Sequence, residues 1–383
     1  MKNKINFTLL ISCLMMVNLY AQNTPERYPD LTWDKPPVLL HVGKTEGIFS
    51  QEEVQFIASS TDIICLEKGH GIKQFGSTEK GIEKEVKQLK KANPDIKVIY
   101  YWNAFLDYPL YDAHKEYNQH PEWWLKDKEG NLDLKRGKMK RYDLSNSEVR
   151  KWWVNSLMKA IKQTNCDGVF MDAFPQVISQ KNKEIWGEKK YDEIQEGLFS
   201  LIAETRAALG EDKLIIYNGI RWIKQLNTSI GEQYFDQADC AMMEHFGHFA
   251  SASKEAMLSD IQAMDRVTKK GKMVAFKAWP EFSWLDEETL KKPEKEKFAI
   301  AEKNITFPLA CFLIGANNYS FFTYSWGYRA GHGILHPYAA LQKKVGKPIS
   351  EYSKEGWVLT REYEFAKVRV DLEKKEAAII YPN

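Results

Sequence analysis

Short apolar runs recur along the whole chain, and this recurrence constrains the fold more than any other feature of the sequence. Each run is rich in β-branched and aromatic residues, which favour extended backbone. Runs that are apolar throughout are typical of parallel strands, because such strands are covered on both faces. We predict eight strands, at residues 38–43, 63–68, 97–103, 168–172, 214–218, 240–244, 273–278 and 318–323.

Lysine- and glutamate-rich stretches with helical periodicity separate these runs. Strand and helix that alternate eight times predict an α/β fold, a (β/α)8 TIM barrel, which we place at residues 30–343. An open doubly wound sheet is the alternative, but no G-x-G-x-x-G motif follows the first predicted strand to support it. The predicted helices cover residues 51–59, 82–92, 148–164, 191–209, 254–269 and 295–313.

Two segments depart from this alternation. The connection after the third strand, residues 104–167, is the longest in the chain. Because a connection that follows a barrel strand lies over the active-site face, we expect this insertion, with Trp123 and Trp124, to build part of a binding site. Residues 344–383 alternate apolar and polar side chains, which predicts a short C-terminal β segment.

The first residues have the pattern of a secretory signal peptide. Two lysines precede an apolar run over 7–17, and residues 19–21 form a cleavage pattern that predicts removal of residues 1–21. A lipid anchor at Cys13 is the alternative, although the run stays apolar beyond this cysteine. From the leader we expect an exported protein, periplasmic or extracellular. No later stretch is long and apolar enough to span a bilayer.

Charge and cysteine content exclude several classes of protein. The 54 basic and 52 acidic residues give a formal net charge of +2, so no global field attracts nucleic acid or a membrane surface. The oligomeric state does not follow from the sequence. Four cysteines lie singly in predicted core elements, where we expect buried thiols rather than disulfides or zinc ligands. They are Cys65, Cys166, Cys240 and Cys311.

Residues that end the predicted strands are the candidate site residues, because function in a barrel collects at the carboxyl ends of its strands. We assign catalysis to two acids, Asp172 and Glu244, and substrate binding to the remaining strand-end residues. The candidate substrate-binding residues are Glu67, Lys68, His70, Tyr101, Trp102, Asn103, Asn218, His245, Lys277, Trp279, Glu281, Tyr324, Trp326 and Arg329.

Asp172 and Glu244 each end an apolar strand in a carboxylate. The structural alternatives are a helix N-cap for Asp172 and an ion pair for Glu244. Two carboxylates across a barrel mouth are the minimum for glycoside hydrolysis. We expect a retaining mechanism with Asp172 as nucleophile and Glu244 as acid/base, its pKa raised by apolar surroundings. Glu67 is the reserve candidate for either role.

The aromatic and basic residues at the predicted mouth point to the class of substrate. Sugar rings present apolar C–H faces that stack on aromatic side chains, while amides such as that of Asn218 bind hydroxyl groups. Basic residues at the same face hint at a sulfated or uronate-bearing glycan, and a solvated rim is the alternative explanation. These basic residues are Lys68, His70, His245, Lys277 and Arg329.

His245 and His248 look superficially like a pair of metal ligands. Residues three apart on an extended strand point to opposite faces, and no second cluster completes a coordination shell. No serine lies in a G-x-S-x-G nucleophile motif. We therefore expect no metal and no other cofactor.

The region from 121 to 172 resembles part of a known group of enzymes. Its motifs are Pro-Glu-Trp-Trp at 121–124, Gly-Asn at 130–131, Tyr-Asp-Leu-Ser-Asn at 142–146, Val-Arg at 149–150 and Asp-Gly-Val-Phe-Met-Asp at 167–172. They are similar to the central segment of bacterial barrel glycoside hydrolases, in the uncharacterised families related to the α-amylase and α-galactosidase superfamily.

This resemblance extends over the barrel from residue 37 to about residue 343. It implies a nucleophile at Asp172, which ends strand four, and an acid/base at Glu244, which ends strand six. The best-known members frequently have an aspartate at the second position.

Two other classes of function share these features. A glycan-binding protein without turnover would keep the barrel and the aromatic residues, but it would have little use for two strand-end acids. A barrel lyase or isomerase could use Lys277 with Glu244 for proton abstraction or Schiff-base chemistry. Fold analogy excludes neither class, since barrels host many reactions.

Overall fold

The computed structural model describes residues 25–382, so the predicted signal peptide and Cys13 lie outside the described residues. Eight parallel strands form one sheet in chain order. The sheet closes where Leu39 N–H donates to the Phe322 carbonyl at 3.0 Å and Phe322 N–H donates to the Pro37 carbonyl at 2.8 Å. The predicted TIM barrel is confirmed.

All eight predicted barrel strands are present within residues 25–382, with shifted ends at the first, second, sixth and eighth. A hairpin of two further strands follows the fifth barrel strand; it was not predicted, because strands of three residues are too short to show a periodicity. The barrel strands are β1 Leu40–Val42, β2 Ile63–Leu66, β3 Lys97–Asn103, β4 Gly168–Asp172, β5 Leu214–Asn218, β8 Cys240–Phe246, β9 Met273–Ala278 and β10 Ser320–Tyr324; the hairpin is β6 Arg221–Ile223 with β7 Thr228–Ile230.

The helices occupy the connections between strands. The predicted helix over 295–313 is two helices, because Pro308 has no N–H to donate to Asn304 and an unbroken helix would need that bond. The α-helices are Gln51–Ser60, Ile72–Phe75, Thr78–Ala92, His114–Tyr117, Ser147–Thr164, Phe174–Val177, Asn182–Trp186, Glu188–Leu209, Lys254–Lys269, Glu287–Leu290, Glu294–Asn304 and Thr306–Gly315.

No single helix within residues 25–382 is both long and apolar enough to cross a membrane; the bent pair of helices around residue 305 meets that test only when its halves are combined.

The pattern of buried side chains explains why the continuous apolar runs form strands and the stretches with helical periodicity form helices. Every residue of β5 and of β9 is buried, as a strand covered on both faces requires. Helix Thr78–Ala92 instead buries one stripe, which includes Ile82, Val86 and Leu89, against the sheet and the neighbouring helices. The four described cysteines are free and buried, so the prediction of buried thiols is confirmed.

The insertion between β3 and helix Ser147–Thr164 covers the barrel mouth. Antiparallel bridges between Leu106 and Arg141 and between Trp124 and Tyr142 fold it back on itself. Trp123 stacks on His120 with ring centroids 3.8 Å apart, and neither tryptophan faces the central cavity. The insertion thus lines the cavity at the mouth through residues other than its tryptophans, and its role in binding stays a prediction.

A four-stranded antiparallel sheet follows the barrel and packs on helix Thr306–Gly315. Its inward side chains alternate along the strand, as predicted for this segment, and one of them is Arg361, which is buried. The Arg361 guanidinium donates to the carbonyls of Ile314 and Ala316 at 2.9 and 2.5 Å. It therefore caps the carboxyl end of the helix. The four strands are β11 Ser353–Glu355, β12 Val358–Tyr363, β13 Ala366–Asp371 and β14 Glu376–Ile380.

Replacing Arg361 with Met should lower the free energy of unfolding by about 2–3 kcal/mol, because buried helix carbonyls lose charge-assisted hydrogen bonds. The control is Arg369→Met, since Arg369 lies on the adjacent strand with its side chain exposed. Urea unfolding of both variants measures the difference. Equal stability of the two variants would show that the capping contacts contribute nothing.

Asp260 gives the stability a predictable pH dependence. It is buried on helix Lys254–Lys269, accepts a 2.7 Å hydrogen bond from Ser229 of the β6–β7 hairpin, and burial raises its pKa to about 7. The unfolded carboxyl has a pKa near 3.9, so between roughly pH 4 and 7 the folded state binds more protons than the unfolded state. The free energy of unfolding therefore falls as pH rises through this window.

The variant Asp260→Asn resembles the protonated carboxyl and should remove this fall, which makes it more stable than the parent at pH 8 by an amount on the order of a few kcal/mol. Urea unfolding at pH 5 and pH 8 tests this. Asp265→Asn, on the same helix but partly exposed, should keep the fall. An unchanged pH dependence in Asp260→Asn would contradict the assignment.

Candidate active site

The carboxyl ends of the barrel strands surround a cavity of about 850 Å³. This volume is in the range of pockets that enclose small-molecule ligands. The insertion after β3 forms one wall of the cavity. Seven of the predicted site residues line it: Glu67, Lys68, Tyr101, Asp172, Asn218, Glu244 and Arg329.

Asp172 ends β4 with both carboxylate oxygens bonded. Oδ2 accepts hydrogen bonds from the Tyr101 hydroxyl and, at 3.2 Å, from the Asn103 amide. Oδ1 accepts from the Asn218 amide at 3.0 Å and from the Ala173 N–H at 2.7 Å. Tyr101 and Asn103 lie two residues apart on the adjacent strand β3 and therefore share the inner face. These four donors fix the orientation of the carboxylate.

Glu244 lies near the end of β8 and is also held on both oxygens. Oε1 accepts from the Tyr328 hydroxyl at 2.6 Å, and Oε2 accepts from the Asn218 amide at 2.8 Å. The Nε2 atom of His245 is 3.3 Å from Oε2. The indole N–H of Trp279 donates to the Glu244 backbone carbonyl at 3.0 Å, which fixes the main chain at this point.

One amide nitrogen joins the two acids. The Nδ2 atom of Asn218 donates to Asp172 at 3.0 Å and to Glu244 at 2.8 Å. Because both bonds meet at a single atom, Oδ1 of Asp172 and Oε2 of Glu244 are less than about 6 Å apart. The two acids are therefore close neighbours in the wall of the cavity.

The two acids differ in proton affinity. Burial, followed by the negative charge of Glu244, raises the pKa of Asp172. Burial acts in the same direction on Glu244, but the adjacent His245 and the bonds from Tyr328 and Asn218 outweigh it, so the pKa of Glu244 is lowered. The prediction of a raised Glu244 pKa is therefore wrong, and a proton held by the pair prefers Asp172.

Glu67 forms a separate ion pair beside the catalytic pair. Its carboxylate contacts the Lys68 ammonium, and His41 Nε2 approaches within 2.7 Å. Burial favours a higher pKa, but Lys68 and His41 outweigh it and lower the pKa of Glu67 to about 2. A carboxyl with this pKa is ionised near neutral pH, and its ion pair with Lys68 separates Glu67 from the bonds that join Asp172 and Glu244; its reserve role as nucleophile or acid/base stays a prediction.

Three predicted substrate-binding residues lie in the packed layer outside the barrel interior, and their predicted role is wrong. Trp102 alternates with the inward Tyr101 and packs on Trp153, with ring centroids 6.0 Å apart. Tyr324 points outward and donates its hydroxyl to the carbonyl of Ala301 at 2.9 Å. Trp326 is completely buried.

Three more predicted substrate-binding residues do not reach the cavity, so the prediction is wrong for these as well. His70 is buried and its ring lies 2.8 Å from Glu85. Lys277 is buried, and its ammonium donates to the carbonyl of Ser325 at 2.6 Å. Burial lowers the pKa of Lys277 well below its usual range, but the enclosed nitrogen does not meet the cavity in which Schiff-base chemistry would occur. Glu281 is exposed at the surface.

The remaining three predicted residues contact Asp172 or Glu244 rather than line the cavity. Asn103 bonds Asp172, Trp279 bonds the backbone of Glu244, and His245 lies against the Glu244 carboxylate. Burial lowers the pKa of His245 to about 4, so this imidazole is neutral near pH 7. Their predicted proximity to the site is correct, whereas direct substrate contact stays a prediction.

Several residues of the cavity wall were not assigned from the sequence. Tyr328 directly precedes the predicted Arg329, and His41 lies within the first predicted strand, so the strand pattern indicates both positions. Side chains of the insertion after β3 have no such signal, because no periodicity shows which residues of a loop turn inward. Those that line the cavity include Tyr108, Lys135, Arg136 and Met139; of the other connections, Gln176 lies on helix Phe174–Val177 and Trp284 follows β9.

Comparison with solved structures gives similar chains at low identity. A cycloisomaltooligosaccharide glucanotransferase from Paenibacillus sp. has 13% identity and a TM-score of 0.44, over 68% of this chain and 39% of its own. A maltogenic alpha-amylase from Thermotoga neapolitana has 11% identity and a TM-score of 0.49, over 88% of this chain and 85% of its own.

An alpha-galactosidase from Thermus thermophilus has 15% identity and a TM-score of 0.47, over 91% of this chain and 68% of its own. This chain therefore spans less than half of the glucanotransferase and most of the amylase. Comparison with curated proteins gives no match.

The family model described as hypothetical glycosyl hydrolase family 15 matches residues 90–367, which is more than half of the chain. The matched region contains Asp172, the bridging Asn218 and Glu244. The chain belongs to hypothetical glycosyl hydrolase family 15, and it is a glycoside hydrolase.

Proposed function

We propose that this enzyme is an exported retaining glycoside hydrolase that acts on an anionic glycan, with Asp172 as nucleophile and Glu244 as acid/base. One observation carries the mechanism, namely that a single amide of Asn218 bonds both carboxylates. The resulting bound of about 6 Å on the nearest oxygens supports the roughly 5–5.5 Å carboxyl separation of retaining enzymes over the 6.5–9.5 Å of inverting ones. Export rests on the leader pattern of residues 1–21.

The proposed reaction has two balanced steps. Protonated Glu244 gives its proton to the glycosidic oxygen as the bond from C1 to that oxygen breaks, while the Asp172 carboxylate attacks C1 and forms a glycosyl ester. Water then attacks C1, Glu244 takes one proton from this water, and Asp172 leaves with the electron pair of the ester bond. One glycosidic bond and one water become two hydroxyl groups, and both carboxyls return to their starting states.

The reacting substrate favours a proton on Glu244 rather than on Asp172. In the free site the pair favours a proton on Asp172, because burial and the charge of Glu244 raise its pKa. The positive charge that develops at C1 faces Asp172 and favours its ionised form, while the leaving oxygen accepts a hydrogen bond from protonated Glu244. The four hydrogen bonds to Asp172 persist in that state and stabilise its charge.

An anionic substrate fits the charges of the cavity wall. Lys68 is paired with Glu67 and so contributes no net charge. Within residues 25–382, no carboxylate pairs with the side chains of Lys135, Arg136 or Arg329, all of which line the cavity. Burial, followed by the charges of Arg141 and Arg136, lowers the pKa of Lys135, so an anion placed beside these cations would relieve their repulsion.

The catalytic assignment predicts that Asp172→Asn and Glu244→Gln each lower turnover about 10³-fold or more while both variants stay folded. New reducing ends are measured on a panel of neutral, uronate-containing and sulfated polysaccharides. The control, Glu281→Gln, removes an exposed strand-end carboxylate outside the cavity and should keep the parent's turnover.

Activated aryl glycosides separate the two roles. A leaving group that needs no proton should restore much of the first step in Glu244→Gln but none in Asp172→Asn, since the second variant lacks the nucleophile. The opposite pattern would exchange the two assignments. Binding of a glycan, measured by thermal shift, with no product from any panel member would favour a glycan-binding protein instead.

The proposed anionic substrate predicts that Lys135→Ala and Arg136→Ala each raise KM for a sulfated or uronate-containing substrate about tenfold, with little change in kcat. The effect should shrink at high ionic strength, because salt screens exposed charges. Lys138→Ala is the control, since Lys138 is exposed on the same insertion but does not line the cavity. Preference for a neutral polysaccharide, or equal KM values for all three variants, would contradict the proposal.

A further inference from the structure

An apolar strip leads from the cavity onto the protein surface. It consists of Trp284, which lines the cavity, with Phe249 and Leu285. Their exposed fractions are 36%, 43% and 57%, so together they form an exposed apolar patch. The rings of Trp284 and Phe249 have centroids 6.4 Å apart. Exposed apolar groups that are continuous with a cavity are characteristic of ligand-binding grooves.

The strip is attached to the side of the cavity that carries Glu244. Trp284 lies 4.8 Å from the ring of Trp279, which donates to the Glu244 backbone carbonyl. It also lies 5.9 Å from the ring of Tyr328, whose hydroxyl donates to the Glu244 carboxylate. The groups that hold the acid/base are therefore the same groups against which the strip packs.

The opposite side of the cavity has a different chemistry. In an eight-stranded barrel, strands three and seven are diametrically opposed, and these are β3 and β9 in this chain. The insertion with Lys135 and Arg136 follows β3, whereas the loop with Trp284 follows β9. Lys135 and Arg136 thus lie on the opposite side of the two acids from Trp284.

We infer that the strip binds the sugar on the leaving-group side of the cleaved bond, by stacking of its C–H face on Trp284 and Phe249. This inference rests on the proposed function, in which Glu244 protonates the leaving oxygen, so the leaving sugar must lie on the Glu244 side. The substrate is then a chain that crosses the mouth, with its charged glycosyl unit toward the insertion and its leaving unit on the strip. A stacked unit is selected by ring shape and not by charge.

The backbone holds Phe249 outward at a conformational cost. Its φ is 50°, in the left-handed region that non-glycine residues rarely adopt. An aromatic side chain in a loop usually turns inward and is buried. The Phe249 ring instead stays exposed, with the rings of His248 and Trp279 at centroid distances of 4.2 and 6.2 Å. Strain that places an apolar ring in solvent beside an active site fits a binding function.

Two substrates with the same glycosyl unit test the inference. The glycosyl fluoride of the sugar released in the panel has a one-atom leaving group that cannot reach the strip. A tetrasaccharide of the same polymer places further sugars on the leaving-group side. We expect Trp284→Ala to lower kcat/KM for the tetrasaccharide at least tenfold more than it lowers kcat/KM for the fluoride.

Phe249→Ala should give a smaller loss in the same direction. The matched controls are Trp357→Ala and Phe365→Ala, which remove accessible aromatic rings of the C-terminal segment, outside the cavity lining. Equal losses on both substrates, or no loss on the tetrasaccharide, would overturn the inference while the hydrolase assignment stands. Failure of the parent enzyme to cleave either substrate would instead remove the proposed function.

Discussion

Closure of the parallel sheet is the constraint on which the active site depends. The backbone bonds between β1 and β10 turn eight strands into a ring, so that all eight carboxyl ends meet at one mouth. Asp172, Asn218 and Glu244 come from three consecutive barrel strands, and no local segment of the chain could bring them together. The amide of Asn218 can bond two acids because strand spacing places it between them.

The same closure places two acids close enough to compete for a proton. Burial alone would raise the pKa of both, and the difference between them comes from the neighbours that each strand supplies. Hydrogen bonds from Tyr101 and Asn218 lower the pKa of Asp172, but burial and the negative charge of Glu244 outweigh them. At Glu244, His245 and the bond from Tyr328 lower the pKa more than burial raises it. The groups that fix the geometry of the two carboxylates therefore also set which of them holds a proton more tightly.

The fold and the central acids could be predicted because each depends on a simple periodicity or on position at a strand end. Asp172, Asn218 and Glu244 were found in this way. Position at a strand end does not by itself show which side chains face the cavity, because side chains alternate between the two faces of a strand. Tyr101 faces the cavity, while Trp102, one residue later, packs against a helix. Lys135 and Arg136 could not be found, because the path of a long loop is set by tertiary contacts that no local pattern records.

The cap that Arg361 places on helix Thr306–Gly315 has a consequence for the order of assembly. This helix follows the seventh barrel strand and precedes the eighth, but its carboxyl end acquires charged hydrogen-bond donors from a residue of the sheet that follows the barrel. A nascent chain that lacks residue 361 leaves those carbonyls without their native partner. The barrel therefore reaches its full stability only after this second sheet has been synthesised and has packed on the helix.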